Sequence, residues 1–253
     1  MEDYYGIKEK LSNSTFKYYM ECPARAFAVD QGTHMRSTSP ALLIGNYVDE
    51  MLFDGQCDRD LSSLMKKDGT LLKTHSYILS IIDEMRSDKA FMKYVTGKTQ
   101  EQLFFDIDGI PWKGKLDVIP NAFEDMIVDL KTAAKIDDWM YSARHGGRVP
   151  FYYARGYDIQ AAVYCYAWKR DRFVLAIATK TKPSGRYLIE FPKEAISNAW
   201  QYVLANQHKV FHEHMKGTGF DYCQAPDCDH CAGKRKTILT MASVFTPKED
   251  TPF

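Results

Sequence analysis

Apolar residues recur at helical spacing early in the chain and at strand spacing through its middle. A first helix is expected to open at Ser12 or Asn13, capping a stretch with Phe16, Tyr19 and Met20 on one side. Residues 40–53 read as a second helix through Leu43, Tyr47, Val48, Met51 and Leu52. Residues 61–92 contain more helix, broken near Asp68-Gly69. The pattern then changes period. Residues 102–107 and 110–119 read as strands around Asp108-Gly109, and residues 126–131 as the next strand. Residues 135–156 are irregular and polar, with Gly146-Gly147 and Pro150, and that length for a loop suggests a functional or mobile segment. Residues 157–169 read as helix, 173–181 and 186–191 as a hairpin across 182–185, and 192–216 as a long amphipathic helix with proline in its first turn. Helices on both sides of a central mixed sheet make this an α/β chain. There are no internal repeats.

The chemistry gathers where two of these strands meet. The run 114–120 (Gly-Lys-Leu-Asp-Val-Ile-Pro) carries Asp117, and the run 127–132 (Ile-Val-Asp-Leu-Lys-Thr) carries Asp129 and Lys131. Residues 122–125 form a polar turn, so the two runs can pair as a hairpin that sets Asp117 beside Asp129. Alternate strand residues share a face, so Asp129 and Lys131 project together while Leu130 points the other way. An Asp-x-Lys on a strand is usually a solvated face. Here Met126, Ile127, Val128 and Leu130 are apolar, and a buried strand that carries a carboxylate and a lysine needs a reason. Two carboxylates can hold Mg²⁺, and a lysine beside them can steady an attacking water or a phosphate. On the following helix Gln160 and Tyr164 stand four apart and share one face, with Ala161, Ala162, Cys165 and Trp168 as apolar partners for docking.

Gly-Lys-Leu-Asp117, then Val-Asp129-Leu-Lys131-Thr, then Tyr157-Asp-Ile-Gln160-Ala-Ala-Val-Tyr164 resembles the PD-(D/E)xK nucleases. More narrowly it resembles the RecE-type exonucleases of phages and prophages, relatives of lambda exonuclease and the RecB nuclease domain. The resemblance runs from about residue 11 to about residue 222. It implies that Asp117, Asp129 and the Leu130 backbone carbonyl hold Mg²⁺, with Mn²⁺ as a substitute. Lys131 would assist the water, and Gln160 and Tyr164 would organise the site and the DNA strand. The elements along the chain give one nuclease domain over 1–253, with N-terminal helices in 11–92, a catalytic core in 100–216 and a cysteine-rich segment in 217–253.

One position departs from the family pattern. RecE-like and RecB-like members often carry a metal-binding histidine in a Gly-x-x-x-His pattern, whereas this chain reads Gly45-Asn-Tyr-Val-Asp49. A carboxylate suits Mg²⁺ at least as well, so Asp49 is expected to replace the histidine as a metal ligand. The plain alternative is an ordinary exposed carboxylate. Glu101 is a weaker candidate for ordering the site.

The cysteines carry a second signal. Cys223, Cys228 and Cys231 lie close together, and Cys22 stands in Glu-Cys-Pro-Ala-Arg near the start, while Cys57 and Cys165 stand apart. Closely spaced cysteines in a cytosolic chain suggest a metal site rather than disulfides. AddB-type and CRISPR-associated relatives hold a 4Fe–4S cluster on one N-terminal and three C-terminal cysteines, though their spacing differs from this one. An iron–sulfur cluster is the expected occupant, with a zinc ion as the alternative and free thiols as the plain reading. His208, His212 and His214 share a helix, but Lys209 stands where a zinc-peptidase motif needs glutamate, so a surface role is expected.

Charge adds a constraint. The chain has 33 Lys and Arg against 33 Asp and Glu, so DNA would have to meet a local basic lining. Lys113, Lys115, Arg144, Arg148, Arg155, Lys180, Lys182 and Arg186 are candidates, and Arg25 could meet a terminal 5′ phosphate. No apolar run is long enough for a membrane span, and the first residues lack signal-peptide features, so a cytoplasmic location in a bacterial or phage-infected cell is expected. The resemblance implies 5′-to-3′ digestion of linear duplex DNA leaving 3′ single strands. It further implies a ring-like homo-oligomer and a single-strand annealing protein as partner. Two alternatives stay open: an iron–sulfur nuclease acting on single strands or ends, and a nuclease fold kept as a silent DNA-binding module.

Overall fold

The computed structural model describes residues 4, 6–35, 39–53, 60–217, 220, 223, 228–232 and 234; Cys57 and most of the cysteine-rich segment lie outside them. Helices α1 (Asn13–Glu21), α2 (Pro23–Asp30) and α3 (Pro40–Leu52) come first. Ser12 caps α1 by accepting the Thr15 N–H at 3.1 Å. Cys22 ends α1 and caps α2, its sulfur accepting the Arg25 N–H at 3.4 Å, and Pro23 fills the first turn. Helix α2 has no counterpart in the sequence expectation. Its buried positions are Ala24, Ala26 and Ala28, too small to leave a strong apolar stripe.

The helix expected within 61–92 lies in its second half, after residues 61–76. They form short 3₁₀ turns at Ser62–Leu64 and Lys73–His75 around a tight turn, and α-helix resumes only at α4 (Tyr77–Ser87) and α5 (Lys89–Val95). The Asp68 carboxylate accepts both the Thr70 N–H at 2.9 Å and its hydroxyl at 2.7 Å, a local alternative to helical bonding.

Strands β1 (Gly97–Ile107) and β2 (Ile110–Pro120) pair across Asp108-Gly109, both with positive φ, as a two-residue hairpin requires. Strand β1 starts at Gly97, earlier than the sequence suggests. Strand β3 (Met126–Ala133) follows antiparallel, with Val118 opposite Val128, and that register sets Asp117 opposite Asp129. The segment expected to be irregular instead holds a small second sheet, β4 (Trp139–Ser142) and β5 (Gly147–Pro150), and the short helix α6 (Phe151–Ala154). Polar and exposed residues on that ribbon hide its strand pattern. Then come α7 (Tyr157–Trp168), β6 (Arg172–Thr179), β7 (Arg186–Glu190), α8 (Lys193–Lys216) and α9 (Asp229–Ala232).

The main sheet runs β1-β2-β3-β6-β7, with β3 and β6 parallel and the other neighbours antiparallel. It is therefore mixed and flanked by helices, as expected. Met126, Val128 and Leu130 on β3 and Val174, Ala176 and Ala178 on β6 pack towards α3, α4 and α5. Ile127, Phe173, Leu175 and Ile177 pack on the opposite face against α1, α7 and α8. The same two-residue period carries Asp129 and Lys131 onto the α7 face. Gly114 lets α7 come close, because a Cβ there would stand 2.8 Å from the Trp168 ring.

Candidate active site and cysteine centre

The β2–β3 hairpin assembles the expected cluster. Asp129 is 2% exposed. Lys131 Nζ lies 2.5 Å from Asp129 Oδ2 and 3.7 Å from Asp117 Oδ2, and it donates to the Leu130 carbonyl at 2.9 Å. Asp117 Oδ2 also accepts the Leu130 N–H at 2.9 Å. From α7, Gln160 Nε2 donates to Asp129 Oδ1 at 2.6 Å, and the Tyr164 hydroxyl donates to the Lys115 carbonyl at 2.9 Å. Gln160 and Tyr164 therefore tie one helix face to both strands of the hairpin.

Electrostatics follow from this crowding. Burial, with Asp129 adding to it, pushes the Asp117 carboxyl up to about 7. Burial and then Asp117 hold Asp49 well above the carboxylate range, so α3 brings Asp49 to the same cluster. Burial opposes the charge on Lys131, but Asp129 and Asp117 outweigh it and hold the ammonium well above its ordinary value. Three carboxylates thus share little more than one compensating cation.

The donor set fits a hard divalent ion. Asp129 Oδ2 is buried and has the Lys131 charge beside it, but no directed hydrogen bond. The Lys131 ammonium already sits among Asp129, Asp117 and the Leu130 carbonyl, so these oxygens converge where a cation is favourable. A cleft of 380 Å³ opens beside them, lined by Asp49, Lys131, Arg155, Tyr157 and Lys180 among others.

The basic candidates divide. Arg155 and Lys180 line the cleft, and Lys115 acts on Asp49 through its charge. Others hold the fold. Lys113 donates to the Tyr4 carbonyl at 2.8 Å and to the Ile7 carbonyl at 2.5 Å. Arg144 makes a two-pronged pair with buried Asp158, and Arg186 bonds Asp88 at 2.8 Å. Arg148 donates to the Trp139 carbonyl at 2.6 Å, and exposed Lys182 precedes Pro183. Arg25 lies beside the cysteines, its guanidinium paired with Glu21 at 2.9 Å. Glu101 is exposed on β1, opposite Leu116.

Two nearby residues have no role in the sequence expectation. Tyr157 begins α7, and its ring lies 5.8 Å from Lys131 Nζ and 5.3 Å from Lys17 Nζ. Burial first, then the charge of Lys131, lowers the Lys17 ammonium to about 8. Lys17 carries no local signal, because tertiary packing alone brings it to the site, whereas Tyr157 opens the motif that holds Gln160 and Tyr164.

The four cysteines also come together. Cys22, Cys223, Cys228 and Cys231 place their sulfurs within 4.8 Å of one another, and Cys22 and Cys231 are 3.4 Å apart. Burial raises the Cys22 and Cys231 thiols. Four thiols so close at the α1–α2 joint and α9 suit a thiolate-bound metal. Cys165 is buried away from them, in the main core. The histidine trio does not converge. His214, expected at the surface, is instead bonded to Asp30 at 3.0 Å and to the Lys8 carbonyl at 2.6 Å, and His208 reaches Asp108 at 3.4 Å.

A five-stranded mixed sheet with Asp117 on one hairpin strand and Asp129-x-Lys131 on the next is a PD-(D/E)xK nuclease fold. The chain belongs to the family described as PDDEXK-like domain of unknown function (DUF3799), which matches residues 12–234. A crystal structure of a protein from Eubacterium rectale, provisionally named an exonuclease and solved at 2.19 Å, superposes with a TM-score of 0.80 at 25% identity, covering 96% of this chain and 96% of that one. A second solved structure, SSO0001, aligns over 73% of this chain and 85% of that one at 13% identity with a TM-score of 0.28, a likeness too weak to inform the fold. No curated protein matches. Among the described residues no helix is long and apolar enough to cross a membrane.

Proposed function

We propose that this protein is a Mg²⁺-dependent DNA exonuclease of RecE-like type, digesting linear duplex DNA from 5′ ends and leaving 3′ single strands. The observation that carries this reading is the convergence of Asp117, Asp129, the Leu130 carbonyl and Lys131, with Gln160 bonded to Asp129. Asp117, Asp129, Asp49 and the Leu130 carbonyl would hold Mg²⁺. The ion would supply charge neutralisation at the scissile phosphate and acidify a water. Lys131 orients that water and meets charge developing on the phosphate. Gln160 fixes the Asp129 carboxylate, and Tyr164 fixes the β2 backbone at Lys115. Arg155, Lys115 and Lys180 offer the cleft positive charge for a DNA strand, and Arg25 remains a candidate for a terminal phosphate. The E. rectale protein's provisional name supports exonuclease activity.

The segments 11–92 and 100–216 work as one nuclease domain in this reading, and the cysteine-rich segment from 217 staples it. The sulfur spacing favours a single tetrahedral ion over a cluster. Metal–sulfur bonds of about 2.3 Å in a tetrahedron set sulfurs about 3.8 Å apart, whereas a cubane must fit four irons and their sulfides between the thiolates. Digestion without release requires enclosure of the DNA, hence a homo-oligomer. The 3′ strand would pass to a single-strand annealing protein in the cytoplasm of a bacterial or phage-infected cell.

Linear duplex labelled at either the 5′ or the 3′ end tests the activity. Early loss of the 5′ label, only with Mg²⁺ or Mn²⁺, is expected. Early loss of the 3′ label would reverse the polarity, and binding without cleavage would leave a silent binding module. Asp49→Ala should raise the Mg²⁺ needed for half-maximal cleavage by about 10-fold or more. An unchanged Mg²⁺ dependence would leave the ion on Asp117 and Asp129 alone.

A further inference from the structure

Lys17 is a cation held beside the carboxylate cluster and not neutralised by it. Its Nζ donates to the Arg155 carbonyl at 3.1 Å and lies 5.3 Å from the centre of the Tyr157 ring, which Lys131 approaches at 5.8 Å. Among the described residues no carboxylate stands within ion-pair distance of it. The slot is shaped for this side chain. Gly156 has φ +64°, and a Cβ there would come within 2.9 Å of Lys17 Cδ. A glycine at the start of α7 thus leaves room for a lysine from α1, at an entropic cost to the helix end.

A half-buried ammonium with N–H groups to spare, next to a phosphodiester-cleaving centre, needs an anion. Lys131 serves the scissile phosphate in the reading above. The next anion along a DNA strand is the neighbouring phosphate, one nucleotide away. We infer that Lys17 is a substrate-positioning residue that binds a non-bridging oxygen of the phosphate adjacent to the one hydrolysed, on the same strand. This inference rests on the nuclease reading and extends it to a residue outside the Asp…Asp-x-Lys motif. Lys17 sets where the strand lies, whereas Lys131 acts on the reacting water.

The test is binding of a short fluorescein-labelled duplex with Ca²⁺ in place of Mg²⁺, measured against salt concentration. It compares wild type, Lys17→Gln and Lys17→Arg. Glutamine keeps a donor for the Arg155 carbonyl and removes the charge. Removing one cation from a DNA phosphate should flatten the plot of log affinity against log salt by about 0.9 for duplex, or about 0.7 if the strand is held single. The expected result is that flattening in Lys17→Gln, with about 10-fold weaker binding at low salt. Under Mg²⁺, KM should rise while kcat is largely retained, and Lys17→Arg should keep the wild-type slope. A folded Lys17→Gln with wild-type slope and affinity would show that Lys17 only braces the α6–α7 turn, and would overturn the inference alone. If Lys17→Gln fails to fold, Lys17→Met decides: a flattened slope in the folded methionine variant supports the phosphate role, and a wild-type slope opposes it. A wild-type protein that binds no DNA would sink the nuclease reading and this inference with it.

Discussion

Lys131→Ala is expected to lower DNA cleavage by at least about 10²-fold, the usual loss when one aimed charge is removed from a reacting centre. Its signature should extend to stability. The substitution leaves buried Asp129 and its neighbour Asp117 facing one another with no ammonium between them. The metal-free variant should therefore melt lower than wild type, and Mg²⁺ should restore more of the loss than it gives wild type, because it no longer competes with a lysine for the same oxygens. Asp117→Asn should separate the two effects. It removes a ligand, so cleavage should again be lost, but it also removes a repelling carboxylate. Asp117 in the folded protein titrates at about 7, above its ordinary value. The native state therefore holds a proton there that the unfolded chain has already released. The resulting stability is fully present below the unfolded value and is lost as pH rises to about 7. In chelator, wild type should lose melting temperature between about pH 4 and about pH 7 more steeply than Asp117→Asn. Parallel melting curves for the two proteins would mean that Asp117 does not carry this strain, and full cleavage by Lys131→Ala would remove Lys131 from the reaction.

The parts of this site that sequence revealed are those governed by short-range geometry. The strand period alone puts Asp129 and Lys131 on one face and Leu130 on the other, and a polar four-residue turn is enough to set Asp117 opposite Asp129. Helical spacing does the same for Gln160 and Tyr164. Contributions from other elements have no such signal. Lys17 reaches the site because α1 packs beside α7 and Gly156 makes room, and neither fact is local. Arg144 and Arg186 look like a DNA lining in one dimension, yet each is committed to a carboxylate, at Asp158 and Asp88. Helix α2 and the β4–β5 ribbon were hidden for opposite reasons: one buries only alanines, and the other exposes Trp139 and Tyr141. The cysteines are intermediate, since their clustering late in the chain is visible but the return to Cys22 depends on the fold.

That return explains why Cys22→Ser is expected to be the most destabilising single change. Cys22 ends α1, caps α2 and meets Cys223, Cys228 and Cys231, so one metal ion would bind both ends of the described chain. Four-thiolate zinc contributes about 10–16 kcal/mol of apparent binding energy in small domains, much of it spent on ordering the chain. A net loss of about 3 kcal/mol would lower the melting temperature by about 6–12 °C in a chain of this size. Chelation of the wild type should reproduce the shift, and zinc should reverse it. The effect on catalysis should have a different form from that of Lys131→Ala. Asp117, Asp129 and Lys131 stand on the sheet, whereas Lys17 stands on α1, the helix that Cys22 terminates. Loosening α1 should therefore raise KM more than it lowers kcat. Elemental analysis settles which metal does this. One zinc per chain with no visible absorbance agrees with sulfurs this close, whereas about four irons per chain with a brown chromophore would require the cysteines to spread around a cluster. A protein that binds neither, and melts alike with and without chelator, would leave the four thiols as a packed apolar corner and remove the staple altogether.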